Sequence, residues 1–117
     1  MAHNQIKGQR KGLEIFSIGN KEYRRLYDTV IVDFNHDSEG RTVTLNTGGW
    51  KTNHTKNCMN DFLRRFGFRV FQKNFKWYVR GREVSFSFDV DKVTFTIIDT
   101  PMGLQIGNFR EEVIRTA

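Results

Sequence analysis

This chain holds a single cysteine, Cys58, and a single proline, Pro101. One cysteine excludes an intramolecular disulfide, and secreted scaffolds of this size ordinarily carry several. No apolar run approaches the ~20 residues that a membrane-spanning helix needs. The first twelve residues are polar and lack the apolar stretch of a signal peptide. Together these absences predict a reducing, cytoplasmic setting.

Acid is missing from one stretch in particular. Between Phe62 and Arg82 there is no Asp or Glu, while Arg64, Arg65, Arg69, Lys73, Lys76, Arg80 and Arg82 all fall there. The whole chain has 19 Lys and Arg against 13 Asp and Glu, a net charge of +6. A solvated positive face that keeps the protein soluble accounts for such a run. So does a site for nucleic acid, a nucleotide or an acidic protein surface.

Aliphatic residues are modest in number, but 11 phenylalanines raise the aromatic share to 14%. Each buried ring removes a large apolar area from water, so a few rings are enough to build a core. The 117 residues suit one domain. The expected organisation is a flexible basic arm over residues 1–12, carrying Lys7, Arg10 and Lys11, followed by a single domain over 13–117.

Hydrophobic periodicity sets the expected elements. Leu13 to Ile18 reads as a short strand. Asn20 is placed to cap a short helix through Leu26, with Tyr23, Leu26 and Tyr27 apolar. Thr29 to Phe34 puts Val30, Val32 and Phe34 on one face of a strand. Arg41 to Asn46 does the same with Val43 and Leu45 after a polar, glycine-ended loop. Asn53 to Phe66 carries Thr55, Met59, Phe62, Leu63 and Phe66 along one helical stripe, with Gly67 just past its end. Phe68 to Gln72 and Phe75 to Arg80 then flank a turn at Lys73-Asn74, with Phe75, Trp77 and Val79 inward. Val84, Phe86 and Phe88, and later Val93, Phe95 and Ile97, mark two further strands. Asn108 to Glu111 resembles a capping box for a terminal helix bearing Phe109, Val113 and Ile114. The fold class expected is α+β: an antiparallel sheet in the order ββαββββ with one amphipathic helix on one face.

Two segments offer chemistry. In Thr47-Gly-Gly-Trp-Lys-Thr-Asn-His-Thr-Lys56, two glycines lead into a helix N-terminus, where unpaired backbone N–H groups attract anions. Lys51, Thr52, Thr55 and Lys56 are the candidate contacts. The spacing is not that of a phosphate-binding P-loop, and a plain glycine turn with an ordinary cap explains the segment as well. Further on, Arg69, Lys76, Tyr78 and Arg80 form a candidate outward patch in which Tyr78 offers a stacking ring. Arg64 to Phe71 partly fits the RNA-recognition strand pattern, but Arg65 stands where glycine is wanted and Arg69 where an aliphatic is wanted. His54 and Cys58 share a helix face but are too few for a structural zinc. No cofactor, metal or catalytic residue is expected.

The segment Thr42 to Asn60, centred on Asn-Thr-Gly-Gly-Trp and Thr-Lys-Asn-Cys-Met-Asn, together with Phe66 to Val79, resembles small proteins encoded by tailed bacteriophages. About a third of the chain carries the likeness. It implies a phage origin and an accessory protein acting in the infected cell, and it assigns no role to any residue. The expected function is a non-enzymatic binding protein whose basic surface engages nucleic acid or a phosphate-bearing ligand. The alternative is an effector that binds an acidic host-protein surface and inhibits or redirects a host defence or transcription complex.

Overall fold

A computed structural model describes the backbone of residues 3–7 and the full structure of residues 10–112. Five antiparallel strands come first: β1 (His3–Lys7), β2 (Leu13–Ile18), β3 (Lys21–Leu26), β4 (Thr29–Asp37) and β5 (Gly40–Asn46). The chain then leaves this sheet for α1 (Asn53–Leu63), a 3-10 turn (Arg64–Phe66), β6 (Arg69–Lys73), β7 (Lys76–Arg80) and β8 (Ser85–Phe88). It returns beside β5 as β9 (Lys92–Thr100) and ends in β10 (Gly103–Glu112). A seven-stranded sheet, β1-β2-β3-β4-β5-β9-β10, is thereby joined by a separate three-stranded sheet, β6-β7-β8. The expected ββαββββ order is present as β4-β5-α1-β6-β7-β8-β9, within an α+β fold of antiparallel sheet and one helix.

α1 forms where the apolar stripe runs, and it buries Thr55, Cys58, Met59, Phe62 and Leu63. The Thr52 side chain caps it by accepting from the Thr55 N–H, which satisfies one of the free donors of the first turn. Gly67 ends the 3-10 turn in the left-handed region, φ 78°. The stripe packs into one core with Ile31, Val32 and Phe34 of β4, Val43 and Leu45 of β5, Val93, Phe95 and Ile97 of β9, and Val70, Trp77, Val79 and Phe88 of the small sheet. Phe62 is fully buried, with Phe34 at 5.4 Å and Phe66 at 5.5 Å between ring centroids. The 11-residue α1 is far shorter than a membrane span, and among the described residues no helix is long and apolar enough to cross a membrane.

Asn60 sits on the flank of the helix and joins it to the small sheet. Its side chain donates to the Val70 carbonyl at 3.0 Å and accepts from the Val70 N–H at 2.6 Å. Val70 lies on an edge strand, so these groups would otherwise offer an open pairing site. Reciprocal bonding from a helix closes that edge.

Several expectations are corrected. Lys21–Leu26 is strand β3, not a helix. Gly19-Asn20 serves as a two-residue hairpin turn, with Ile18 opposite Lys21, and so caps nothing. The inward residue that obscured the alternation is an arginine: Arg24 is buried beside the Phe62 ring. Residues 108–111 belong to β10, where Asn108 and Phe109 form a bulge between Gly107 and Arg110. Phe109 stacks on Phe86 at 4.8 Å from there, while Val113 and Ile114 lie outside the described residues. Val30 is exposed because β4 carries an extra residue, Ile31, opposite the Arg24–Arg25 step of β3, so that Ile31 and Val32 are both buried. Val84 is also exposed, just ahead of β8. Within the basic N-terminal segment, expected to be an arm, His3–Lys7 pairs with β2, and Arg10 bonds to Asp61.

Candidate nucleic-acid interface

The hairpin β6–β7 has period-two burial. Val70, Trp77 and Val79 face the core, which turns the alternate residues outward. Its register sets Arg69 opposite Arg80, Phe71 opposite Tyr78 and Lys73 opposite Lys76. Ser87 lies beside Tyr78 and Ser85 beside Arg80 on the third strand. The outer face is therefore a ribbon with a pair of cations at each end and a pair of aromatic rings between. Four residue steps, from Arg69 to Lys73, separate the two cation pairs, about 13 Å at the usual rise. The rings of Phe71 and Tyr78 stack at 5.1 Å and 11°, and the Arg69 guanidinium lies 5.3 Å from the Phe71 centroid.

Unpaired cations also occur elsewhere among the described residues, at Lys11, Lys21, Lys51, Lys56, Arg82 and Arg110, but four are gathered on this face. Arg10, Arg24, Arg25, Arg41, Arg64, Arg65 and Lys92 each form an ion pair with a carboxylate. Among the described residues, Arg69, Lys73, Lys76 and Arg80 form none. All four are exposed. Two like-charge pairs stand directly across the ladder, an arrangement that destabilises a sheet. An anion bound over them relieves that repulsion.

The expected contacts thus separate into two groups. Arg69, Lys76, Tyr78 and Arg80 share the outer face of one ribbon. Phe71 joins them by stacking on Tyr78. Lys73 joins them because the turn lies one residue later than expected, at Asn74-Phe75, so Lys73 is a strand residue. Phe75, expected in the core, instead occupies the tip and is 95% exposed.

Thr52 and Thr55 lie together, their hydroxyl oxygens 3.2 Å apart, but Lys51 and Lys56 converge neither with that face nor with each other. The Lys51 ammonium donates to the Asp89 carbonyl at 2.8 Å. The Lys56 ammonium lies 5.6 Å from the Trp77 ring, on the side of the ribbon opposite Arg69. Thr55 is buried, and Thr52 is committed to the helix cap. Gly48 and Gly49 have φ 62° and 88°, as a glycine-dependent turn requires. A Cβ on Gly48 would come within 2.7 Å of Thr29. The turn's donors are already used: Gly48 N–H reaches Asn46 Oδ1, Gly49 N–H reaches Thr47 Oγ1, and Trp50 N–H reaches the Thr47 carbonyl. Beside the turn opens a cleft of about 350 Å³, lined by Tyr27, Trp50, Thr52, His54 and Thr55 with Asp28 and without a lysine or arginine. Its lining does not suit an anion.

Other titratable groups have structural surroundings. Burial pushes the Cys58 thiol up, away from the reactive thiolate. His54 Nε2 lies 2.8 Å from the Lys11 carbonyl, which fixes it as the donor. The hydrogen bonds from Arg10 hold the Asp61 carboxyl below its ordinary range. Burial lowers the Arg24 guanidinium, against the opposing pull of Glu22. Among the described residues, no three His, Cys, Asp or Glu side chains gather in a way that would hold a metal ion.

Fold and site define a small α+β protein whose most distinctive surface is a charged, aromatic sheet face. The chain belongs to the Kyanoviridae Gp96 protein family, a bacteriophage family whose model matches residues 14–96. That span runs from β2 into β9 and includes the whole outer face. No curated protein and no solved structure matches the chain.

Proposed function

We propose that this phage protein is a non-enzymatic nucleic-acid-binding protein that works in the cytoplasm of the infected cell. Its binding surface is the outer face of β6–β7. The observation that carries the reading is the gathering of unpaired charge: four exposed cations without a carboxylate partner share one face of one ribbon, while Lys11, Lys21, Lys51, Lys56, Arg82 and Arg110, also without one, lie outside β6–β7. Phosphates are the complementary partner for unmatched Arg and Lys side chains, and their contacts position a strand without reading its sequence. The Phe71–Tyr78 pair between the cations adds an aromatic surface of the kind on which bases stack.

The test is binding of single- and double-stranded DNA and RNA near physiological salt by the wild type and by an Arg69→Glu/Lys76→Glu/Arg80→Glu variant. The three side chains are exposed, so the variant should fold with an unchanged circular dichroism spectrum and lose binding. No binding of any of the four by the wild type would overturn the proposal. The same three reversals would then be assayed for loss of an acidic host-protein partner.

A further inference from the structure

The tip of the β6–β7 hairpin is built against local preference. Lys73 pairs with Lys76, which leaves Asn74 and Phe75 as a two-residue loop. Both have positive φ, 54° and 65°. This is the pattern of a type I′ turn, which favours Asn-Gly. Asn74 suits its position. Phe75 does not, because a bulky side chain is strained in the left-handed region and glycine is not.

The strain is not compensated by burial. Phe75 is 95% exposed, the most exposed large hydrophobic residue among those described. It has no ring partner within the described structure, whereas Phe71 and Tyr78, four and three residues away, are stacked together. A strained backbone that presents an aromatic ring to water points to a contact the ring makes outside the molecule. The ring stands at the end of the cationic ribbon, flanked in sequence by Lys73 and Lys76, neither of which has a carboxylate partner.

We infer that Phe75 is a base-stacking residue: it packs against an unpaired nucleobase of a single-stranded nucleic acid whose phosphates lie along Arg69, Arg80, Lys73 and Lys76. This rests on the nucleic-acid reading of the outer face and adds the class of ligand and the residue that selects it. Stacking needs only a base's flat surface, so the preference is for unpaired over paired strands and not for a sequence. Lysines on both sides hold the backbone near the tip and leave the ring free to meet the base.

Phe75→Gly separates the ring from the fold. It creates the favoured Asn-Gly turn, so the unfolding midpoint should equal or exceed that of the wild type. Affinity for a single-stranded oligonucleotide should fall about 5- to 150-fold, the range for loss of one base–aromatic stack. The dependence of affinity on salt should stay the same, because no phosphate contact is removed. With 2-aminopurine in the strand, the wild type should quench its fluorescence and Phe75→Gly should not. If the wild type binds in a salt-dependent way and Phe75→Gly binds and quenches equally well, this inference fails and the nucleic-acid reading stands. If the wild type binds no nucleic acid, both fail. A Phe75→Gly defect confined to capture of a host protein would also overturn it and assign the tip to a protein pocket.

Discussion

Replacing Asn60 by alanine removes the side chain that bonds both backbone groups of Val70. The helix α1 would then rest on β6 through apolar contacts and the exposed 3.4 Å bond from Lys56 Nζ to Gln72 Oε1. Two hydrogen bonds are lost, each contributing about 0.5–1.5 kcal/mol net, so the expected destabilisation is about 1–3 kcal/mol. The upper half of that range applies if Val70, which is buried, cannot recruit water to its edge groups. In urea the midpoint should fall by on the order of 1 M at the slopes usual for small proteins. The Val70 amide should exchange with solvent much faster, while the Val79 amide on the neighbouring strand should change less. Asn60→Asp keeps an acceptor for the N–H but no donor for the carbonyl, and should recover only part of the loss. A shift under about 0.5 kcal/mol, with the Val70 amide as protected as before, would refute the view that Asn60 closes this edge.

Phe62→Ala should cost about 3–5 kcal/mol, read from the denaturation midpoint, because the ring is fully buried among Phe34, Phe66 and Arg24. An unchanged midpoint would contradict the placement of α1. Arg10→Met should destabilise in a pH-dependent way. Asp61 is held below its unfolded value chiefly by its hydrogen bonds with Arg10, so the stability it contributes is present above about pH 4 and is lost as pH falls through its folded value. The gap between wild type and variant should therefore be full near neutrality and shrink below about pH 4; a gap that widens in acid would contradict the pairing.

The parts of the fold that could be read from the residues are those where one periodicity dominates. The α1 stripe, the β5 alternation at Val43 and Leu45, and the β9 run at Val93, Phe95 and Ile97 all turn their apolar residues inward. Elsewhere the signal was inverted by particular side chains. Arg24 is an inward residue of β3 that reads as an outward one, stabilised by Glu22 and the Phe62 ring. Two bulges, at Ile31 and at Asn108-Phe109, shift the period midway along a strand, and no residue pattern announced either.

The same limits apply to the site. Arg69, Lys76, Tyr78 and Arg80 were legible as one face because Trp77 and Val79 are unambiguous core residues between them. Lys73 and Phe75 exchanged expected places because a phenylalanine in the left-handed region is rare, and apolar residues are first assigned to the core. The helix entry looked equally rich, yet its donors are consumed by Asn46 and Thr47, and Lys51 and Lys56 point to different neighbours. Spacing supplies candidates there, and only hydrogen-bond partners show which of them are already committed.

The central claim is that four unmatched cations on the outer face of β6–β7 bind nucleic-acid phosphates, and the salt dependence of affinity tests it most directly. Four contacts predict that log K falls with log salt at a slope of about −2.8 for a single strand and about −3.6 for a duplex. Between 50 and 200 mM salt this amounts to a loss of about 50-fold and about 150-fold respectively. In Arg69→Glu/Lys76→Glu/Arg80→Glu only Lys73 remains of the four, and binding should disappear across that range. A slope near zero, or a triple variant that binds with the slope of the wild type, would contradict the account.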